Sequence, residues 1–127
     1  MRTASLLPAL VVLACASAGV HNTTWTLASI GGNAPVAGAN VTLQFGNDAA
    51  SGNGGCNQYR ATFTTNGSAL TFGPAMSTKR ACVESSMNAQ ETAYFDALSR
   101  VASYERSDDR LVLRDASGVP LLEFNAK

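Results

Sequence analysis

A chain of 127 residues with 9 basic and 9 acidic side chains has the length of one domain and no formal net charge. That neutrality, with a charged fraction of only 14%, excludes a protein that tracks phosphates along nucleic acid or lies on a membrane through a polybasic face. An apolar fraction of 46% excludes an unfolded chain.

The first predicted element is an export signal over residues 1–18. Met1-Arg2 supplies a positive start, residues 6–14 (LLPALVVLA) an apolar run too short to span a bilayer as a helix, and Ala16-Ser17-Ala18 the small residues of a cleavage site. A cut after Ala18 leaves a domain of residues 19–127. Alternatively, Val12-Leu13-Ala14-Cys15 resembles a bacterial lipobox, in which residues 1–14 are removed and Cys15 is lipidated. Either way the protein is expected outside the cytoplasm, as a periplasmic or outer-membrane lipoprotein or else secreted. Loss of Arg2 shifts the formal charge of the remainder to slightly negative. Its large core candidates are Trp25, five phenylalanines, three tyrosines and a scatter of leucine and valine among many alanines. A core this light benefits from a covalent staple.

Along the domain the dominant period is two. Trp25 and Leu27 share one face, Val41, Leu43 and Phe45 another, and Tyr59, Ala61 and Phe63 a third, with Arg60 and Thr62 outward. Such alternation predicts half-buried strands. Turn clusters separate them at Gly31-Gly32-Asn33, at residues 46–55 (GNDAASGNGG) and at Asn66-Gly67, the last a strong hairpin signal before Leu70 and Phe72. From residue 88 to 102 the period changes: Tyr94, Phe95, Leu98, Val101 and Ala102 recur at three- and four-residue steps. This predicts an amphipathic helix with Asn88 as N-cap, Glu91 completing a capping box, and Arg100 favourably placed near the C-terminus. Leu111-Val112-Leu113, a turn at residues 115–118 and Leu121-Leu122-Glu123-Phe124 predict a closing hairpin. The expected fold is mainly β (α+β): a small antiparallel sheet curled into an open barrel, with one amphipathic helix packed against it.

With Cys15 assigned to the signal, Cys56 and Cys82 remain. In an oxidising compartment such a pair is expected to bond, and closing a loop of about 25 residues contributes roughly 3–4 kcal/mol in the chain-entropy model. The alternative is a reactive or metal-binding thiol pair. The single histidine, His21, lies beside the signal, and there is no CxxC motif, no histidine cluster and no third ligand, so no metal site is expected.

These residues resemble the META domain family (HslJ-like secreted or lipid-anchored domains). Gly55-Cys56-Asn57-Gln58-Tyr59 matches its most specific motif, and Thr78 with Ala81-Cys82 matches its second. Trp25-Thr26-Leu27 with Gly31-Gly32, then Glu91, Tyr94-Phe95 and Leu98, then Leu111-Val112-Leu113, Gly118 and Leu122-Glu123-Phe124 follow in the family's order. Ala61 and Val83 depart from it, standing where a glycine and a proline are frequent. The resemblance implies a compact β fold with one helix, an exported or lipid-anchored protein associated with stress or envelope functions, and no catalytic residues to carry over, and it supports pairing of Cys56 with Cys82.

The residues themselves offer no catalytic set. His21 is the only imidazole, Asp108-Asp109 form a solvated turn, and Gly52-Asn53-Gly54-Gly55 lacks the ending of a phosphate loop. Glu91 and Arg100 are expected on the wet face of the helix. Asn57 is expected to hold backbone groups in a bend, with ligand binding as its alternative. The reading is a non-enzymatic protein without cofactor or metal, a monomer, binding a protein partner through its glycine-rich loops, with Asn53, Gly54 and Asn57 as candidate residues, or through an exposed strand edge. Carriage of a small apolar ligand such as a lipid, and proteinase inhibition, are the alternatives. Neither nucleic acid nor membrane is an expected partner, the latter except through a lipid on Cys15.

Overall fold

The computed structural model describes residues 19–127; the predicted export signal and Cys15 lie outside the described residues. The described residues form nine strands and one helix. In chain order these are β1 (Thr24–Ile30), β2 (Thr42–Phe45), β3 (Ala49–Asn53), β4 (Gln58–Asn66), β5 (Ala69–Phe72), β6 (Met76–Ser77), α1 (Ser85–Arg100), β7 (Ser103–Arg106), β8 (Arg110–Arg114) and β9 (Pro120–Ala126). The order in space is β3-β2-β1-β9-β8-β7-β5-β4-β6, and a further β3–β4 pairing closes the first eight into an antiparallel barrel. Short β6 continues the line of β5 along β4, through Tyr59↔Ser77 and Arg60↔Met76. Closure, where an open barrel was expected, removes the edges that an open sheet of this size leaves exposed.

Eight strands enclose a space that side chains can fill. The alternating residues supply them: Trp25, Leu43, Phe45, Leu70, Leu111, Leu113, Leu122 and Phe124 are all essentially inaccessible. From α1, Tyr94, Ala97 and Leu98 join the same cluster. Among the described residues no helix is long and apolar enough to cross a membrane.

Several expectations shift. The Asn66-Gly67 hairpin is present, but its two-residue loop is Gly67-Ser68, closed by the pair Asn66↔Ala69. Gly67 has φ +61° and takes the first loop position, which suits a II′ turn in place of the I′ turn that Asn-Gly suggests. The run at residues 46–55 is not all turn, because β3 lies within it and bonds to both β2 and β4. The helix starts at Ser85, three residues before Asn88, and ends at Arg100. Glu84 holds the N-cap position without a side-chain bond, so the capping box at Asn88 and Glu91 does not form.

Candidate functional site

The residues of both cysteine motifs meet on the side of the barrel where α1 crosses the bend between β3 and β4. Glu91 is central to this meeting. Instead of facing water it is 7% exposed, a correction to the expected wet face; Arg100 does lie on that face, paired with Asp96 at 3.1 Å. Three N–H groups converge on the Glu91 carboxylate. Oε2 accepts from the backbone N–H of Cys56 at 3.1 Å and of Asn57 at 2.8 Å, and Oε1 accepts from Asn57 Nδ2 at 2.7 Å. Such charge-assisted bonds are the stronger class, and here they replace water around a buried acid.

Asn57, 6% exposed, links that carboxylate to the segment beyond β6. Its Nδ2 also donates to the Arg80 carbonyl at 2.8 Å, while its Oδ1 accepts from Arg80 N–H at 2.7 Å and from the Thr78 hydroxyl at 2.8 Å. Both donors and both acceptor positions of the amide are thus used. The backbone groups its side chain holds belong to Arg80 in the segment beyond β6, where backbone amides of the bend itself were expected. Its backbone carbonyl closes the same bend by accepting from Gly54 N–H at 2.8 Å.

The glycines of the motif have steric reasons. A Cβ on Gly54 would lie 2.9 Å from Phe95 Cζ and 3.0 Å from Glu91 Oε2, and Gly55 adopts φ +133°. Of the expected binding-loop residues, Asn53 is half-buried while Gly54 and Asn57 are buried. They support a surface without forming one. What lies over them is a strap, residues 78–86, exposed along its length except at Cys82. The Cys56–Cys82 disulfide, with Cα atoms 5.4 Å apart, pins the strap to the bend. Asn88 pins it a second time, its Oδ1 accepting from Cys82 N–H at 3.0 Å, which is the use this residue has in place of capping. Val83 is fully exposed and Met76, just before the strap, is 77% exposed.

Beneath the bend two phenols form a relay. Tyr59 donates to the Thr42 carbonyl at 2.8 Å, so in the 2.6 Å contact between the two hydroxyls Tyr94 is the donor. Burial pushes both phenols well above the usual tyrosine range. Elsewhere, His21 is exposed with its ring 5.1 Å from that of Phe63, and Asp108-Asp109 occupy the exposed β7–β8 turn. The described ion pairs, Asp96–Arg100, Glu123–Arg110 and Glu105–Arg114, do not involve Glu91. The sequence shows no third ligand beside the cysteines, yet the fold brings one: the ligand atoms of Cys56, Cys82 and Glu91 lie within 4.8 Å of one another.

Solved structures share this architecture. An NMR structure of a protein from Burkholderia xenovorans is similar at TM-score 0.67 and 28% identity, covering 85% of this chain and 83% of that one. A second NMR structure is similar at TM-score 0.67 and 18% identity, covering 84% and 91%. The crystal structure of a duf4847 family protein from Bacteroides vulgatus is similar at TM-score 0.60 and 14% identity, covering 85% and 94%, which extends the likeness of fold alone. Among curated proteins no sequence matches. The META domain model matches residues 18–127, the whole barrel with both cysteine motifs, and the chain belongs to the META domain family.

Proposed function

We propose that this is a non-enzymatic, exported META-domain protein of the cell envelope, serving under stress, that binds a protein partner through the strap at residues 78–86. One observation carries the reading: the strap is exposed, yet held from beneath by Asn57, the disulfide and Asn88. A loop fixed before contact loses little conformational entropy on binding. Its exposed side chains, Lys79, Arg80 and Val83, with nearby Met76, combine positive charge with apolar surface. Proteinase inhibition is one form that such a displayed loop can take. Carriage of an apolar ligand needs room inside the barrel, whose core holds Trp25, Phe45, Tyr94 and Phe124 as its largest fully buried side chains.

The test is cross-linking in the native host, comparing the wild type with Val83→Asp and with the pair Lys79→Ala, Arg80→Ala. The substituted side chains are exposed, so the thermal midpoint should stay within about 2 °C. Loss of a binding hot spot of about 2 kcal/mol lowers partner recovery by about 30-fold. Equal recovery by all three proteins would overturn the assignment of the strap.

A further inference from the structure

A half-exposed cysteine pair beside a buried carboxylate is a set of metal-ligand atoms as well as a staple. Glu91 Oε1 lies 3.8 Å from Cys56 Sγ. In a tetrahedral zinc site, with bonds of about 2.3 Å to sulfur and about 2.1 Å to oxygen, sulfur and oxygen ligands stand about 3.6 Å apart. The carboxylate therefore already occupies ligand spacing from one sulfur, and only the two sulfurs must part. Cα atoms 5.4 Å apart leave that freedom to side-chain rotation.

We propose that Cys56, Cys82 and Glu91 form a zinc-binding site that the disulfide keeps closed and reduction opens. The hydrogen bonds around Glu91 are those an oriented metal ligand needs. Asn57 Nδ2 fixes Oε1 on the sulfur side, and two backbone N–H groups fix Oε2 away from it. Among the described residues no cation pairs with this acid. A divalent ion would supply the missing positive charge, and thiolates favour zinc over magnesium or calcium. Both cysteines are half-exposed, which gives the ion a path in and leaves the fourth position to water.

The chemistry balances with an external dithiol as reductant. Its two thiols give two electrons and two protons to the Cys56–Cys82 bond, forming two cysteine thiols and a cyclic disulfide. Zinc then binds both sulfurs as thiolates and the Glu91 carboxylate, and two protons pass to solvent. The neutral pair of thiols is thereby replaced by a site of three anionic ligands around one dication.

The experiment uses the purified protein, oxidised or reduced with a water-soluble phosphine that does not compete for metal. Cobalt(II) is the spectroscopic probe, with zinc added as competitor. The expected result is one cobalt per reduced chain, a thiolate-to-cobalt charge-transfer band that zinc abolishes, and no uptake by the oxidised protein. Glu91→Gln should weaken zinc binding by the reduced chain at least about 10-fold. The circular dichroism of the oxidised variant checks that the staple still holds a folded barrel, and Glu91→Asp serves if Gln does not fold. Absence of cobalt uptake, collapse of the barrel on reduction, or zinc affinity unchanged by the loss of the carboxylate would each overturn the proposal.

Discussion

Tyr59 uses its hydroxyl twice, as donor to the Thr42 carbonyl and as acceptor from Tyr94, whereas Tyr94 uses its own once. Tyr59→Phe strands the part-buried Thr42 carbonyl and the buried Tyr94 phenol, and Tyr94→Phe strands neither. The first is expected to cost about 2–3 kcal/mol and the second about 1 kcal/mol, read from urea unfolding. Both phenols are held neutral by burial, so they bear on pH in a definite direction. An unfolded tyrosine ionises near pH 10.0 while these two, raised in the folded state, do not. Their contribution is complete below about pH 10 and is lost above it, at about 2.7 kcal/mol per pH unit for the two together. Tyr94→Phe should halve that slope. Glu91 shows where residue-type reasoning fails. It precedes Tyr94 by three positions, Phe95 by four and Leu98 by seven, so it lies in phase with the buried stripe of α1. Its charge points to water, and its position on the helix points to the core. The periodicity held the correct answer, but not the three N–H groups that make burial tolerable.

At the scale of elements, the strands with alternating large side chains were readable because burial alternates as their sequences do: Trp25 and Leu27, Val41 to Phe45, Tyr59 to Phe63. β3 was not readable. Ala-Ala-Ser-Gly-Asn has neither β-branched nor aromatic residues, and what makes it a strand is pairing with β2 on one side and β4 on the other. Its glycine is a demand of that placement. A Cβ on Gly52 would lie 2.2 Å from the Thr42 carbonyl oxygen, a backbone atom, whereas at Gly54 the obstacles are the side chains of Phe95 and Glu91. Backbone in a closed barrel cannot retreat as a side chain can. Gly52→Ala is therefore expected to cost about 3–4 kcal/mol and Gly54→Ala about 1–2 kcal/mol, measured by thermal unfolding. The reverse order would mean that the barrel wall yields more easily than the packing under the strap. The start of α1 is hidden for a related reason: Asn88 has the chemistry of a cap but uses it on Cys82 of the strap.

For the molecule as a whole, a mainly β fold with one helix followed from the pattern, and the pairing of Cys56 with Cys82 followed from their being the two cysteines outside the export signal, with the motif resemblance in support. The closure of the sheet did not, since β3 supplies the seam and β3 was missing. Nor could local pattern show that the strap, and not the glycine-rich bend, is the outward surface. One long-range pairing sets how the barrel comes together. β1 runs antiparallel to β9, from Trp25↔Ala126 to Ile30↔Leu122, so nearly the full described length of the chain lies between partners in one seam. Such contacts form late, because loop closure has to be met before they stabilise anything. Deleting residues 120–127 should leave β1 paired only with β2 and β8 paired only with β7, and abolish the cooperative unfolding transition seen by calorimetry. For any process that handles the polypeptide from its N-terminus onward, the closing strand arrives last. Until it does, the barrel lacks both its β1–β9 and its β8–β9 pairings and cannot close.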